Sequence, residues 1–383
     1  MEWKKYRLGC LSHSIQTGPF GSQLHQSDYS EEGTPVIMPK DIVEGRVVED
    51  NIARVSDIHI QRLKRHKVKC GDVVYSRRGD VGRCALVGEK EDGWLCGTGC
   101  LKVELNKEKV LPPFLFYILQ RQDSVGWVES HAVGSTMPNL NTGILAKLPV
   151  FLPTLNLQHR IASILSTYDT LIENNTKRIH LLEKMAENLY KEWFVRLRFS
   201  GHEKAEIENG LPKGWKVESL GNLLDIRYGK DHKKLDDGDI PIYGSGGIMR
   251  YGDTALYEGC SVLIPRKGSL NNIIYVEGKF WTVDTMFYSV PKKNNICFYM
   301  YYVLSLVDMT TYNAGAALPS MTASILNRMK VVLPDRDVLM RFDGLMQANY
   351  KQKCNLQHQN SLLVRQRDLL LPRLMSGKLE VKP

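Results

Sequence analysis

Residues 135–153 read STMPNLNTGILAKLPVFLP, and residues 316–334 read AALPSMTASILNRMKVVLP. Pro138, Ile144, Leu145, Val150, Leu152 and Pro153 of the first recur as Pro319, Ile325, Leu326, Val331, Leu333 and Pro334 of the second, at one constant offset. Met137/Leu318, Leu140/Met321, Lys147/Arg328 and Leu148/Met329 keep their chemical character at the same offset. The period is far longer than that of a solenoid repeat. A chain of 383 residues also exceeds one typical core. The chain is therefore read as a duplicated domain.

The duplication extends outward. CGDVVYSRRGDVG (70–82) resembles GCSVLIPRKGSLN (259–271): an apolar strand runs into a basic pair and a glycine, Arg77-Arg78-Gly79 and then Arg266-Lys267-Gly268. FLFYIL (114–119) has its counterpart in YMYYVL (299–304). Each half orders its parts alike: short strands with Gly/Pro punctuation, a short apolar helix, the opening stretch, then a long helix.

The first long helix shows a heptad seam. Ile161, Leu165, Tyr168, Ile172, Asn175, Ile179, Leu182, Ala186, Leu189 and Trp193 are spaced by alternating fours and threes. That period of 3.5 marks a left-handed coiled-coil seam. The second half continues at the same offset with Phe342, Met346, Asn349, Lys353, Leu356, Asn360, Leu363, Arg367, Leu370 and Leu374, a seam more polar in its middle. Some 40 residues at ~1.5 Å each make a rod of about 60 Å. Asn175 is expected opposite Leu356 or a polar partner on the second helix, where a buried Asn fixes register; a bent helix or a bound water are the other readings. Tyr190, Trp193 and Phe194 read first as core and second as a docking patch. The expected architecture is α+β and pseudo-twofold: a first head at 1–153, a first long helix at 154–200, a linker and second head at 201–334, and a second long helix with its tail at 335–383.

Bulk properties narrow the function. The net charge of +9 favours a polyanionic partner as a tendency. The run ICFYMYYVLSLV (296–307) is too short to span a bilayer and reads as a buried helix. MEWKKYRLGC lacks the apolar stretch of a signal peptide, so a cytoplasmic protein without membrane contact is expected. The eight cysteines are scattered, with no C-x-x-C pair. Cys96 and Cys100 lack the second ligand pair of a zinc site and read as reduced thiols; no metal is expected.

Four segments carry a resemblance: GPFGSQL…DYSEEGTPVIMPKDI (18–42), GDVVYSRRG (71–79), LPTLNLQHRIASILSTYDTLIENNTKRIHLLEKMAENLYKEWF (152–194) and LPKGWKVESLGNL (211–223). With RQRDLLLPRLMSGKLEV (365–381), they resemble the specificity subunits of type I restriction-modification systems over essentially the whole chain. The resemblance implies two target-recognition domains, each reading one half of a split duplex DNA site, and two antiparallel helices between them. It implies that these helices dock two methyltransferase subunits, and that the assembly recruits restriction/translocase subunits. It also implies that this chain has no catalytic centre and no cofactor, S-adenosylmethionine belonging to the partner methyltransferase. One departure stands out: Gln158, Ile161 and Asp169 align with Leu339, Phe342 and Tyr350, so the second helix lacks the polar signature.

The candidate DNA contacts are Arg62, Lys64, Arg65, Lys67 and Lys69 with His66 in QRLKRHKVK, then Arg77 and Arg78, then Arg266 and Lys267. Arg reads guanine bidentately, whereas spaced Lys neutralises phosphate; a solvated helix face is the alternative for 62–69. Ser76, Ser269, Asn271 and Asn272 flank the basic turns as base readers or as turn formers. An amino-methyltransferase needs a polar residue before Pro-Pro-aromatic, to hold the target amine. LPPF (111–114) offers Leu111 and reads instead as a helix start. Glu277-Gly278-Lys279 has nuclease-like E-x-K spacing without an upstream Asp in a strand frame. Two competing functions remain: a coiled-coil scaffold that does not read DNA, and a self-sufficient DNA-modification enzyme.

Overall fold

The computed structural model describes residues 3–134, 138–312, 320–376 and 379. Met137, Leu318 and Pro319 of the opening repeat lie outside the described residues. The chain forms two compact units, Met1–Asn174 with Asn360–Pro383, and Asn175–Gln359. Each long helix is thus shared between units rather than standing as a domain of its own. The reason lies in burial, because each half of each seam packs into the core of one unit.

In the first unit, strands Ser12–Thr17, Cys100–Leu105, Val73–Ser76 and Cys84–Leu86 form an antiparallel sheet in that order. A second sheet runs Leu95–Cys96, Thr34–Ile37, Ala53–Val55, Tyr29–Ser30. Helix Pro112–Leu119 starts on its two prolines, which suit a first turn that needs no N–H. Its Phe114 and Leu115 share a core with Val73, Leu101, Ile161, Leu165 and Leu374.

In the second unit one sheet runs Leu224–Tyr228, Met286–Pro291, Tyr257–Pro265, Ile274–Thr282, Ile240–Gly244, Gly247–Gly252. The apolar run of 296–307 is the helix Cys297–Ser305, with six residues buried. It packs with Val262, Ile264 and Phe287 of the sheet and with Tyr190, Trp193, Phe342 and Met346 of the long helices. Phe194 meets Tyr299 and Phe342 edge-on. These aromatics are core, as first read.

The opening repeat now has a structural meaning. Asn141 caps helix Thr142–Ala146, its Oδ1 accepting from Ile144 N at 2.8 Å. Thr322, at the matching position, caps helix Ala323–Arg328, its Oγ1 accepting from Ile325 N at 3.3 Å. Such caps satisfy donors that the first helical turn leaves over. The strand after each helix, Pro149–Leu152 or Lys330–Leu333, pairs antiparallel with an earlier strand of its own unit, Lys4–Arg7 or Lys216–Ser219. The repeat therefore ties the end of each half's sheet-bearing part back to an earlier strand and leads into the long helix.

The helices run Leu155–Tyr190, continued by a π turn over Lys191–Val195, and Arg336–Met375. The seam residues face inward throughout. In the first unit Ile161, Leu165 and Leu374 are buried, with Tyr168, Ile172, Leu363, Arg367 and Leu370 half-buried. In the second, Asn175, Ala186, Trp193, Phe342, Met346 and Leu356 are buried, with Ile179, Leu182, Leu189, Asn349 and Lys353 half-buried. The polar positions bond across the pair. In the first unit Arg367 Nη1 meets Asp169 Oδ1 at 2.7 Å, and Asn360 Nδ2 donates to Ile172 O at 3.4 Å. In the second, Asn175 Nδ2 donates to Gln359 Oε1 at 3.5 Å, Lys353 Nζ meets Glu183 Oε1 at 2.7 Å, and Asn349 Nδ2 donates to Leu182 O at 3.1 Å. In both units the first helix rises in number as the second falls, so the pairing is antiparallel. Asn175 has its polar partner, Gln359, on the facing helix.

The lost polar signature also has a physical account. Gln158 is buried, accepts from Leu111 N at 2.9 Å and donates to Pro153 O at 3.0 Å. Asp169 accepts from Tyr117 Oη at 2.5 Å as well as from Arg367. These polar groups fasten the first helix to its own unit. In the second unit Leu339 and Phe342 are buried, and Tyr350 packs on Tyr275 and Phe298. Aromatic packing does there what hydrogen bonds do in the first.

Candidate nucleic-acid interface

The two basic turns are built alike. Strand Val73–Ser76 ends in Arg77-Arg78-Gly79, and strand Tyr257–Pro265 in Arg266-Lys267-Gly268. Leu140 N donates to Arg77 O at 2.8 Å, and Met321 N to Arg266 O at 2.9 Å. Isolated bridges join Arg78 to Asn139 and Lys267 to Ser320. The glycines take φ of 74° and 84°, a region that favours glycine. Val81 N then closes onto Gly79 O, and Leu270 N onto Gly268 O. The segments first singled out in the sequence thus meet in each unit. The first part of the opening stretch braces the basic turn and presents its side chains.

Those side chains differ in freedom. Arg77 is half-buried and its Nε donates to Asn139 Oδ1 at 3.3 Å; Arg78 is exposed and forms no ion pair among the described residues. Arg266 lies over the Tyr228 ring at 5.3 Å, and its Nη1 donates to Asp284 O at 3.3 Å. Lys267 and Ser269 are exposed. Two candidates turn inward instead. Ser76 is buried and donates to Arg78 O at 3.2 Å, so it shapes the turn. Asn271 uses both ends of its amide, donating to Asp308 Oδ1 at 3.0 Å and accepting from Met309 N at 2.8 Å. It latches two loops together through one donor and one acceptor of its amide.

The run 62–69 is divided by its surroundings. Arg62, ending helix Asp57–Arg62, bonds to Asp28 Oδ2 at 3.2 Å and Gln23 O at 3.1 Å. Lys69 meets Glu104 at 3.1 Å, which raises the lysine's pKa and lowers the carboxylate's. His66 is buried; its Nε2 accepts from Arg65 Nε at 3.0 Å, which leaves Nδ1 to donate to Thr17 O at 3.0 Å. Burial first, and Arg65 second, lower its pKa. Lys64, Arg65 and Lys67 form no ion pair among the described residues and are the run's available cations. They stand where they do because buried Lys102 donates to Arg65 O at 3.1 Å and Lys67 O at 2.9 Å.

Two close backbone approaches set the floor beside each turn. A Cβ on Gly18 would sit 1.8 Å from Gly97 O, and one on Gly229 would sit 2.0 Å from Val283 O. Only glycine fits either place. Gly18 N bonds to Cys100 O and Arg77 N to Gly99 O, which brings exposed Phe20 to the neighbourhood of the first turn. Gly229 N bonds to Met286 O and Arg266 N to Thr285 O, which brings Tyr228 to the second.

The second unit holds cations that sequence reasoning missed. Lys230, Lys233 and Lys234 are exposed on the loop after Tyr228 and form no ion pair among the described residues. Arg250 clamps this loop, its Nη2 donating to His232 O at 2.6 Å and Leu235 O at 2.9 Å. Trp281 Nε1 adds a bond to Lys230 O at 3.0 Å. A run of three lysines in GKDHKK was the available signal.

Among the described residues no group of three His, Cys, Asp or Glu could hold a metal. Cys96 and Cys100 are buried, and burial pushes the Cys96 thiol up to about 12. Among the described residues no helix is long and apolar enough to cross a membrane.

Comparison with known proteins agrees with this geometry. The family model described as type I restriction modification DNA specificity domain matches residues 1–184 and 212–338. The chain is 25% identical over 380 residues to the type I restriction enzyme MjaIX specificity subunit of Methanocaldococcus jannaschii, covering 91% of this chain and 87% of that one. It is 22% identical over 467 residues to the HindI specificity subunit of Haemophilus influenzae, covering 99% and 100%. The crystal structure of a type I restriction-modification S subunit from M. genitalium superposes with a TM-score of 0.67 at 18% identity, over 98% of this chain and 96% of that one. The two matches to one family model fall on the two halves of the duplication. With two alike basic turns and a paired-helix seam, they make the chain a member of the type I restriction-modification DNA specificity family.

Proposed function

We propose that the chain is the DNA sequence-specificity subunit of a type I restriction-modification complex and carries no catalytic centre of its own. Each unit reads one part of a split duplex site through its basic turn. The long helices set the spacing and carry two methyltransferase subunits, which bind S-adenosylmethionine. Restriction/translocase subunits join this assembly, which acts on DNA in the cytoplasm. The observation that carries the reading is the recurrence of one braced basic turn in both units, each held by the same backbone bond from the opening repeat. We place the methyltransferase contacts on exposed apolar side chains of the helices: Leu171, Leu362 and Leu369 in the first unit, and Leu181, Met185 and Leu345 in the second.

Residues 111–114, the one stretch near an amino-methyltransferase loop in pattern, support the non-catalytic reading. Leu111-Pro112-Pro113-Phe114 opens a helix, and Phe114 is fully buried, so it cannot stack on a flipped base. Leu111 N is committed to Gln158. The test is methyl transfer from labelled S-adenosylmethionine to duplex DNA. The chain alone is expected to transfer nothing, and the chain with an N6-adenine methyltransferase subunit to modify one split sequence. Transfer by the chain alone would overturn the reading. Modification independent of this chain's recognition units would reduce it to a scaffold.

A further inference from the structure

The hairpin Ile240–Gly244/Gly247–Gly252 exposes what an edge ribbon normally hides. Ile248, Met249 and Tyr251 are 50%, 58% and 51% exposed. Strand register accounts for the first two being neighbours. Tyr243 pairs with Ile248 but Ile242 pairs with Arg250, so Met249 is the extra residue of a β-bulge. Strict alternation would turn one of the two inward; the bulge leaves both outside. Exposed apolar edge strands invite aggregation, so they are normally blunted. This one is held rigidly instead. Asn272 Nδ2, on the loop after the basic turn, donates to Ser245 O at the hairpin tip at 2.8 Å. Val283 N bonds to Tyr243 O, and Arg250 on the hairpin's own strand grips the loop that carries Lys230, Lys233 and Lys234. The tip, the basic turn and this loop, which carries Asp231, Asp236, Asp237 and Asp239 beside its lysines, are thus tied together, with the apolar tip next to the basic turn.

We propose that Ile248 and Met249 form an apolar wedge that enters a groove of duplex DNA beside the turn Arg266–Lys267–Gly268 and partly unstacks a base step. The inference rests on the DNA-reading function proposed above. Charge selects the occupant: Arg266 and Lys267 adjoin the tip, where a Cβ on Gly268 would sit 3.0 Å from Ser245 Oγ, and suit the phosphates that flank a groove, and apolar wedges between base steps are an established way of gaining contact from bent DNA. Gly244 tunes the wedge. A Cβ there would meet Met249 Sδ at 2.5 Å, so the methionine lies over the glycine and is held at the tip.

The test uses the full chain alone and the duplex it selects most tightly from a random-sequence pool. Two readouts are followed: affinity against salt, and the fluorescence of 2-aminopurine placed at successive positions, which rises where stacking is lost. Wild type is expected to brighten one position. The double variant Ile248→Ser/Met249→Ser is expected to bind about 10-fold more weakly, to keep the salt slope because no phosphate contact is lost, and to abolish the brightening. Ile248→Leu/Met249→Leu is expected to restore both. Unchanged affinity and brightening in the serine variant, at unchanged melting temperature, would overturn the wedge while leaving DNA reading intact. Loss of self-association with unchanged DNA binding would overturn it in favour of an interface between copies. Failure of wild type to select or bind any duplex would overturn the DNA reading itself, a distinct result.

Discussion

Consider Arg77 and Arg78 replaced one at a time by alanine. Arg77 is half-buried, its guanidinium already oriented by Asn139, and its main chain is pinned on both sides by Gly99 and Leu140. A preoriented fork loses little entropy on binding, which is the condition for bidentate reading of a guanine. Arg77→Ala is therefore expected to cost about 2 kcal/mol of specific binding, roughly 30-fold, with little effect on non-specific duplex. Arg78 is exposed and forms no ion pair among the described residues, which suits a phosphate. Arg78→Ala is expected to weaken specific and non-specific binding alike and to flatten the slope of log K against log salt by about 0.9. The fold should survive both changes, since Arg77→Ala removes one side-chain hydrogen bond, about 1 kcal/mol. Arg77→Lys separates charge from geometry: it should keep the salt slope and still lose most of the specific term. Fluorescence anisotropy on the selected duplex between about 50 and 200 mM salt decides the matter. Wild-type affinity and slope in both alanine variants would remove the turn from the interface and refute the reasoning from preorientation.

Other outcomes follow from the same geometry. Seven residues inserted after Ile172 and seven between Gln359 and Asn360, at positions that face each other across the pair, keep both seams in phase and add ~10 Å at 1.5 Å per residue; methylation-sensitive sequencing should then find the same half-sites with a gap longer by about three base pairs, and an unchanged gap would show that the helices do not set the spacing. Tyr117→Phe removes a hydrogen bond to the Asp169 carboxylate and should cost about 1.5–3 kcal/mol, read by urea unfolding. His66 is held neutral by burial, so its folded pKa lies below its unfolded value of about 6.5. Its contribution is full above that value and is lost as pH falls toward the folded pKa, so His66→Gln should show a shallower loss of stability than wild type between about pH 7 and 5. Gly18→Ala, whose Cβ would meet Gly97 O at 1.8 Å, should destabilise the chain by ~1–3 kcal/mol or more in the same assay.

What the sequence made legible was local or periodic. The heptad seam, the recurrence of the opening stretch, the proline start at Pro112 and the buried run 296–307 each depend on residues close in sequence or on a fixed period. The interface was less legible because neutralisation is a long-range property. Nothing near Arg62 says that Asp28 will meet it, nor near Lys69 that Glu104 will. Nothing near Asn271 in sequence says that Asp308 and Met309 will fold against it. The loop 230–235 gains its shape from Arg250, which lies on a hairpin the sequence reading did not identify. The division of the long helices between two units was hidden for the same reason, since a continuous heptad does not say which core each half will enter.

Of the five polar bonds described across the helix pair, four run one way. On the first helix Asp169, Glu183 and the carbonyls of Ile172 and Leu182 accept; on the second Arg367, Lys353, Asn360 and Asn349 donate. The fifth, from Asn175 at 3.5 Å, runs the other way. Two first helices brought together would face acceptor with acceptor, and two second helices cation with cation. The asymmetry thereby tells one helix of the pair from the other: two like helices, from one copy or from two, would gain less by pairing than a first helix gains from a second.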